Sequence, residues 1–407
     1  MIPRRGPRPL PLHLGLASLR AMLALMAPMP PPSSAASPNW SGAWPLSKAG
    51  QVEAARIARA LAAVGHRPEA FRAAVLRRLV IQDGGFLGGV LAYRRQDAVP
   101  TQPEVPVLWQ EGGSRMLDYG GAGTPVLFVP SLVNRATVLD LCPERSMLRH
   151  LAGMGMRPLL LDWGWPGERE RRFTLADYVA RLDQAIAALP GPLVLAGYCM
   201  GGLLALAAAL RRPERLSGLA LLATPWDFHA GEEQEGAAAR SMAALASLLD
   251  PCLEATGTLP VDAIQAMFAA LDPFGIAAKY RAFARLAPDS RRARLFVAIE
   301  DWLNDGVPLA ATVARECLGG WYGRNETMAG TWRVDGAPVL PGAWHKPAFI
   351  AIPARDRIVP PASAQALAAA MPDARVHNAA AGHVGMVAGS RAETALWQPL
   401  AEWIADL

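Results

Sequence analysis

The sequence predicts an α/β fold with a mostly parallel central sheet, a helical cap insertion and an N-terminal helical extension. Three observations lead there. Short apolar runs alternate with helical stretches from Val107 onward, the texture of a parallel sheet with helices on both faces. One run, Leu193 to Ala196, leads into Gly197-Tyr198-Cys199-Met200-Gly201-Gly202 and then a helical run from Leu203 to Leu210. The alternation stops after Pro225 and resumes after His345, an interval too long for a plain crossover.

The predicted strands are Val126 to Val129, Pro158 to Asp162, Leu193 to Ala196, Leu219 to Ala223, Ala348 to Ile352 and Arg375 to His377. Most are apolar without a break, as expected of strands covered on both sides. Thr174-Leu175-Ala176-Asp177 reads as a capping box with Asp in the acidic position, opening a helix that reaches Leu189. Pro213 closes the helix behind Cys199. Upstream, Val52 to Val64 and Pro68 to Leu79 read as helices, and Gly84-Gly85 as a break. Val99 to Val107 is Pro-rich and reads as a linker. The expected divisions are residues 1–100, a helical extension; 101–225, the first part of the core; 226–345, the cap; and 346–407, the rest of the core.

A strand, a tight Gly-flanked turn and a helix form the nucleophile elbow of the α/β-hydrolase fold, here with Cys199 at the apex. A thiol at the start of a helix faces orphan N–H groups and the positive end of the dipole, which favour a thiolate. The fold fixes the chain order nucleophile, acid, His. Asp356 lies in the loop after Ala348 to Ile352, and His383 lies between glycines after Arg375 to His377. Asp356 has a second reading as a turn residue paired with Arg355 or Arg357. The expected oxyanion donors are the backbone N–H of Met200 and that of Val133, with Leu132 as substitute. Asn134 either braces that loop or is an ordinary turn residue. His377 is the rival base but falls on a strand. His229 and His345 read as surface or cap residues, and His13, His66 and His150 as structural.

Hydrophobic residues make up 52% of the 407, enough for a sizeable core, and the net charge is +5. The arginines are scattered, so a mildly basic surface or attraction to an acidic ligand fits, such as a phosphate-bearing coenzyme or an anionic surface. No nucleic-acid-binding motif is present. Cys142, Cys199, Cys252 and Cys317 lack CxxC spacing, which excludes a zinc site or disulfide framework and suits a reducing cytoplasm. The N-terminus has three readings. The basic start, the apolar stretch Leu10 to Met29, Pro28 to Pro32 and Ser33-Ser34-Ala35-Ala36 mimic a signal peptide. The same stretch also suits an amphipathic surface helix, or else a helix packed on the catalytic domain or a poorly ordered extension. Arg20 argues against a membrane span.

Several segments together resemble the polyhydroxyalkanoate synthases. They are Pro130 to Arg135 followed by Val138 to Leu141, Asp162-Trp163-Gly164-Trp165-Pro166, the Cys199 elbow, Thr224 to Phe228, Trp321 to Glu326, the Asp356 loop and Gly382-His383. The resemblance runs from about Val107 to Leu407. It implies an acyltransferase that polymerises (R)-3-hydroxyacyl-CoA with release of CoA. Cys199 would be the acylated nucleophile, His383 the general base and Asp356 its partner. No metal or redox cofactor is implied. Such synthases commonly carry His directly after the triad Asp, where this chain has Arg357, and residues before about Pro100 match neither the short nor the long synthases. The implied partners are the hydroxyacyl-CoA substrate, with a homodimer, a partner synthase subunit and a polyester granule surface all open, and no nucleic acid. The expected location is cytoplasmic, with granule or membrane-surface association open. Two other readings stand beside this one: a Cys-dependent thioesterase, esterase or non-polymerising acyltransferase, and a non-catalytic granule scaffold.

Overall fold

The central feature of the computed structural model is an eight-stranded sheet. The structure describes residues 4–26, 48–65, 67–97, 102–231 and 237–407. Pro28 to Pro32, Ser33 to Ala36, His66 and the start of the Val99 linker lie outside the described residues. The strands are β1 (Val107–Glu111), β2 (Ser114–Asp118), β3 (Pro125–Val129), β4 (Arg157–Asp162), β5 (Leu193–Tyr198), β6 (Leu216–Leu222), β7 (Ala348–Pro353) and β8 (Arg375–Ala379). Their order across the sheet is β1-β2-β4-β3-β5-β6-β7-β8. β1, β2 and β4 pair antiparallel, and every other pairing is parallel.

All six predicted strands form, each within a few residues of its expected ends. The hairpin β1–β2 was not predicted. Gly112, at φ 54°, turns the chain between them. β1 shows no apolar alternation, because Val107 and Leu108 are exposed at the sheet edge.

Helices follow the strands in alternation. α1 (Leu10–Met26), α2 (Lys48–Val64) and α3 (Pro68–Arg94) precede the sheet. α4 (Met147–Gly153), α5 (Leu175–Ala187) and α6 (Met200–Arg211) fall between its strands in chain order. The Thr174 capping box forms as expected: Thr174 Oγ1 accepts from Asp177 N–H, and Asp177 Oδ2 accepts from Thr174 N–H. Such a cap contributes about 0.5–2 kcal/mol.

Strand residues alternate between two cores. Leu127, Val129, Leu195, Leu219 and Ile350 pack with residues of α5 and α6. Val126, Phe128, Val194, Ala220 and Phe349 pack on the other face with Leu148 and Leu151 of α4 and with C-terminal residues such as Leu400 and Trp403. Burial on both faces explains the unbroken apolar runs.

Between β6 and β7 come α7 (Ala237–Thr256), α8 (Val261–Leu271), α9 (Gly275–Phe283), α10 (Arg291–Asn304) and α11 (Ala311–Arg315). A wider π-type turn follows at Glu316–Gly323. α12 (Pro361–Ala369) lies between β7 and β8, and α13 (His383–Ala388) and α14 (Gln398–Ala405) follow β8.

The chain divides into two compact units. One holds residues 1–97 and 272–293; the other holds residues 98–271 and 294–407. The interval 226–345 is therefore not one structural piece, because α9 packs with the N-terminal helices. Gly84-Gly85 does not break α3, which continues to Arg94. Tertiary packing overrides the local preference. A Cβ at Gly89 would lie 2.2 Å from the Tyr280 carbonyl oxygen, so α9 sits directly on the bare backbone of α3. Tyr280 fills the contact between Phe86 and Tyr93, edge-on to both rings. Among the described residues, no single helix is long and apolar enough to cross a membrane.

Candidate active site

The site lies at the carboxyl ends of β3, β5, β7 and β8, where α/β sheets place their chemistry. Cys199 follows β5 and has φ 57° and ψ −129°, a region that side chains rarely occupy. Its N–H donates to the Leu222 carbonyl at 2.8 Å, which ties the apex to β6. The flanking glycines are steric necessities. A Cβ at Gly197 would lie 2.4 Å from Gly202 Cα, and one at Gly201 would lie 2.2 Å from the Val129 carbonyl oxygen.

Asp356 and His383 reach the same place from the loops after β7 and β8. Asp356 Oδ2 accepts from His383 Nδ1 at 2.6 Å. Asp356 Oδ1 accepts from the N–H groups of Ile358 at 2.8 Å and Val359 at 3.0 Å. Both carboxylate oxygens are thus fixed, and the ion-pair partner is His383. Arg355 instead donates to the Ala380 carbonyl. The imidazole feels the charge of Cys199, and its Nδ1 is already committed to Asp356. Burial disfavours a charged His383. The Cys199 charge and the hydrogen bond to Asp356 outweigh it, and the pKa is pushed up to about 10. The arrangement therefore favours a protonated His383.

Met200 is the first residue of α6, so its N–H is one of the orphan donors of that helix. Val133 lines the same cavity as Cys199 and Met200. Its N–H donates to Ser131 Oγ at 3.4 Å, a long bond. The loop is held from three sides. Trp163 Nε1 donates to the Pro130 carbonyl, Trp302 Nε1 to the Arg135 carbonyl, and Val307 N–H to the Val133 carbonyl. Asn134 Oδ1 is buried without a hydrogen-bond partner, so it makes no bracing bond through that atom.

The other described histidines lie away from Cys199. His377 Nε2 bonds the Ala395 carbonyl, and its ring stacks on Phe349. His229 bonds the Tyr322 carbonyl, and His345 is exposed. His13 is buried in the N-terminal unit, and His150 lies against Trp397. Among the described residues, no group of three or more His, Cys, Asp or Glu could hold a metal ion.

Cys199 opens into an apolar cavity of about 110 Å³, walled by Phe228, Leu259, Met267, Phe268, Leu318 and Trp321 among others. Two motif segments interlock to form part of this wall. Asn325 Oδ1 accepts from Phe228 N–H, and Asn325 Nδ2 donates to Asp227 Oδ1. Phe228 stacks on Trp321. The sequence reading singled out these segments without assigning them a task. It also passed over Tyr198, whose ring packs on His383 and whose hydroxyl donates to the His383 carbonyl. Its position beside Cys199 was the available signal.

A family model for the alpha/beta hydrolase fold matches residues 124–389. The chain belongs to the α/β-hydrolase fold family. Within the curated relatives of this α/β-hydrolase are poly(3-hydroxyalkanoate) polymerase subunits. The chain is 27% identical over 314 residues to subunit PhaC of Haloferax mediterranei, covering 74% of this chain and 63% of that protein. It is 28% identical over 297 residues to subunit PhaC of Synechocystis sp., covering 69% of this chain and 78% of that one. The chain thus spans less than two thirds of the Haloferax relative. The similarity to polyhydroxyalkanoate synthases expected from the motifs is borne out by these matches. Among solved structures, a Mycobacterium tuberculosis protein described as a non-heme bromoperoxidase, BpoC, shares the fold. Its TM-score is 0.50 at 18% identity, over 75% of this chain and 99% of that one.

Proposed function

We propose that this α/β-hydrolase is an acyltransferase that polymerises (R)-3-hydroxyacyl-CoA into polyhydroxyalkanoate through an acyl-Cys199 thioester. The observation that carries the reading is Cys199 in the wall of an apolar cavity, acting on His383, whose Nδ1 is hydrogen-bonded to Asp356. Its likeness to polymerase subunits supports the substrate class.

The chemistry follows from the residues. The Cys199 thiolate attacks the thioester carbonyl carbon, and the Met200 and Val133 N–H groups receive the developing oxyanion. The C–S bond to CoA breaks as His383 gives its proton to the departing sulfur. One thioester replaces another, so little free energy is lost. The 3-hydroxyl of a second acyl group then attacks a thioester carbonyl, and His383 takes the hydroxyl proton. An ester bond forms and a thiol is freed. The apolar walls keep out water, which would otherwise divert the acyl group to free acid. None of these steps requires a metal or redox cofactor. A cytoplasmic location, with or without attachment to a polyester granule, and pairing with a second subunit both suit this reading.

Incubating the full chain with 3-hydroxybutyryl-CoA tests it. CoA release with insoluble polymer is expected. CoA release with soluble 3-hydroxybutyrate would make the chain a thioesterase, and no release at all would favour a scaffold. Cys199→Ala should abolish CoA release and Cys199→Ser should leave a small residue. Ordinary turnover by the alanine variant would rule out covalent catalysis at this residue.

A further inference from the structure

The N-terminal unit holds a second cavity, unrelated to the triad. α3 presents Arg78, Ile81, Gln82 and Gly85 to it, at the spacing of one helical face. α9 and the turn after it present Ala278, Arg281, Ala282 and Arg285 at the same spacing. Together they enclose about 330 Å³. A Cβ at Gly85 would come within 3.3 Å of Arg281 Cγ, so the glycine makes room for the arginine stem.

The charges in this cavity are unbalanced. Arg78, Arg281 and Arg285 are ion-paired with no carboxylate among the described residues. Arg281 Nη1 is buried without an acceptor. Asp83 acts on Arg281 but is itself paired with Arg20 of α1. Burial first, and then Arg20, lower the Arg281 pKa; Asp83 opposes this, and Arg285 and Arg78 add to it. Arg78 and Arg285 are exposed and Arg281 is half-buried, and cations gathered this closely repel one another unless an anion joins them. Guanidinium forks match the oxygens of a phosphate two at a time.

We propose that this pocket binds a phosphate-bearing ligand, with Arg281 and Arg285 gripping the phosphate oxygens, Arg78 at the rim and the Gln82 amide as a neutral partner. The site goes beyond acyl transfer at Cys199 and does not depend on it.

The full chain is titrated calorimetrically with sodium pyrophosphate at low ionic strength. In parallel it is co-sedimented with phosphatidylglycerol vesicles, using phosphatidylcholine vesicles as the neutral reference. The pocket variant carries Arg281→Gln and Arg285→Gln. A control of equal charge carries Arg72→Gln and Arg77→Gln, two exposed arginines of α3 outside the pocket. Loss of two charge-assisted grips should weaken binding by about tenfold or more, while the control stays within about twofold of the parent. Saturable pyrophosphate binding lost by the pocket variant supports the site with a soluble phosphate as occupant. Binding to anionic vesicles alone, lost in the same way, supports it with a lipid headgroup. Equal losses in both variants, or no binding of either probe by the parent, overturn the proposal. A melting temperature of the pocket variant at or above that of the parent shows that folding is intact, because removing like charges relieves repulsion.

Discussion

The Tyr198 hydroxyl donates to the backbone carbonyl of His383 at 3.3 Å. The residue before Cys199 thus holds the segment that carries His383. Burial, and then the Cys199 and Asp356 charges, raise the Tyr198 pKa well above its ordinary value, so the phenol stays a donor. Its ring centroid lies 5.1 Å from that of the imidazole. Tyr198→Phe keeps the ring and loses one neutral bond, so CoA release should fall by about two- to tenfold. Tyr198→Ala removes the support as well and should cost considerably more. Steady-state CoA assays on both variants check this, and equal losses would show that the ring contributes nothing.

His383→Ala should damage turnover more than Asp356→Ala. In the proposed mechanism the imidazole moves the proton, whereas the carboxylate orients it and steadies its charge. A loss of about 10²–10⁴-fold is expected for the histidine variant. Parental activity in that variant would reject the assignment of the base.

The raised His383 pKa makes a prediction about stability. A group charged more readily in the folded state stabilises it fully below its unfolded pKa of 6.5, and the contribution fades as pH rises through about 10. The melting-temperature advantage of the parent over His383→Gln should therefore be greatest near pH 6 and shrink toward pH 10. An advantage that stays constant across this range would show that the imidazole carries no extra proton affinity in the fold.

The cavity beside Cys199 holds about 110 Å³. An enclosed apolar space of about 150 Å³ just accommodates benzene. A four-carbon hydroxyacyl group should therefore be turned over faster than a ten-carbon one. Competition between the two CoA thioesters, read by product composition, checks the order. Preference for the longer chain would mean that the walls part during turnover.

Much of the catalytic unit could be read from the chain because its signals are local. Leu193–Ala196 must be apolar to lie between two helical layers. Gly197 and Gly201 must lack side chains for the elbow to close. Asp356 and His383 stand where strands end. What escaped depends on contacts between distant segments. Gly84-Gly85 reads as a break until α9 is placed against α3, and no local pattern assigns residues 272–293 to the N-terminal unit. β1 is stabilised by its ladder to β2 rather than by its own apolar character. The bond from Tyr198 to His383 spans two strands and leaves no periodic trace. Asn325, linking Asp227 and Phe228 to the Trp321 segment, is visible only once the chain has folded back on itself.

The backbone at Cys199 is bent into a shape that glycine would adopt at ease and cysteine resists, at a cost of about 1–3 kcal/mol. A chain selected for durability alone would relax that corner. Keeping a sulfur there means that the fold tolerates a standing local weakness at the residue proposed to start its chemistry, and the surrounding sheet must be rigid enough to keep the bend from springing open.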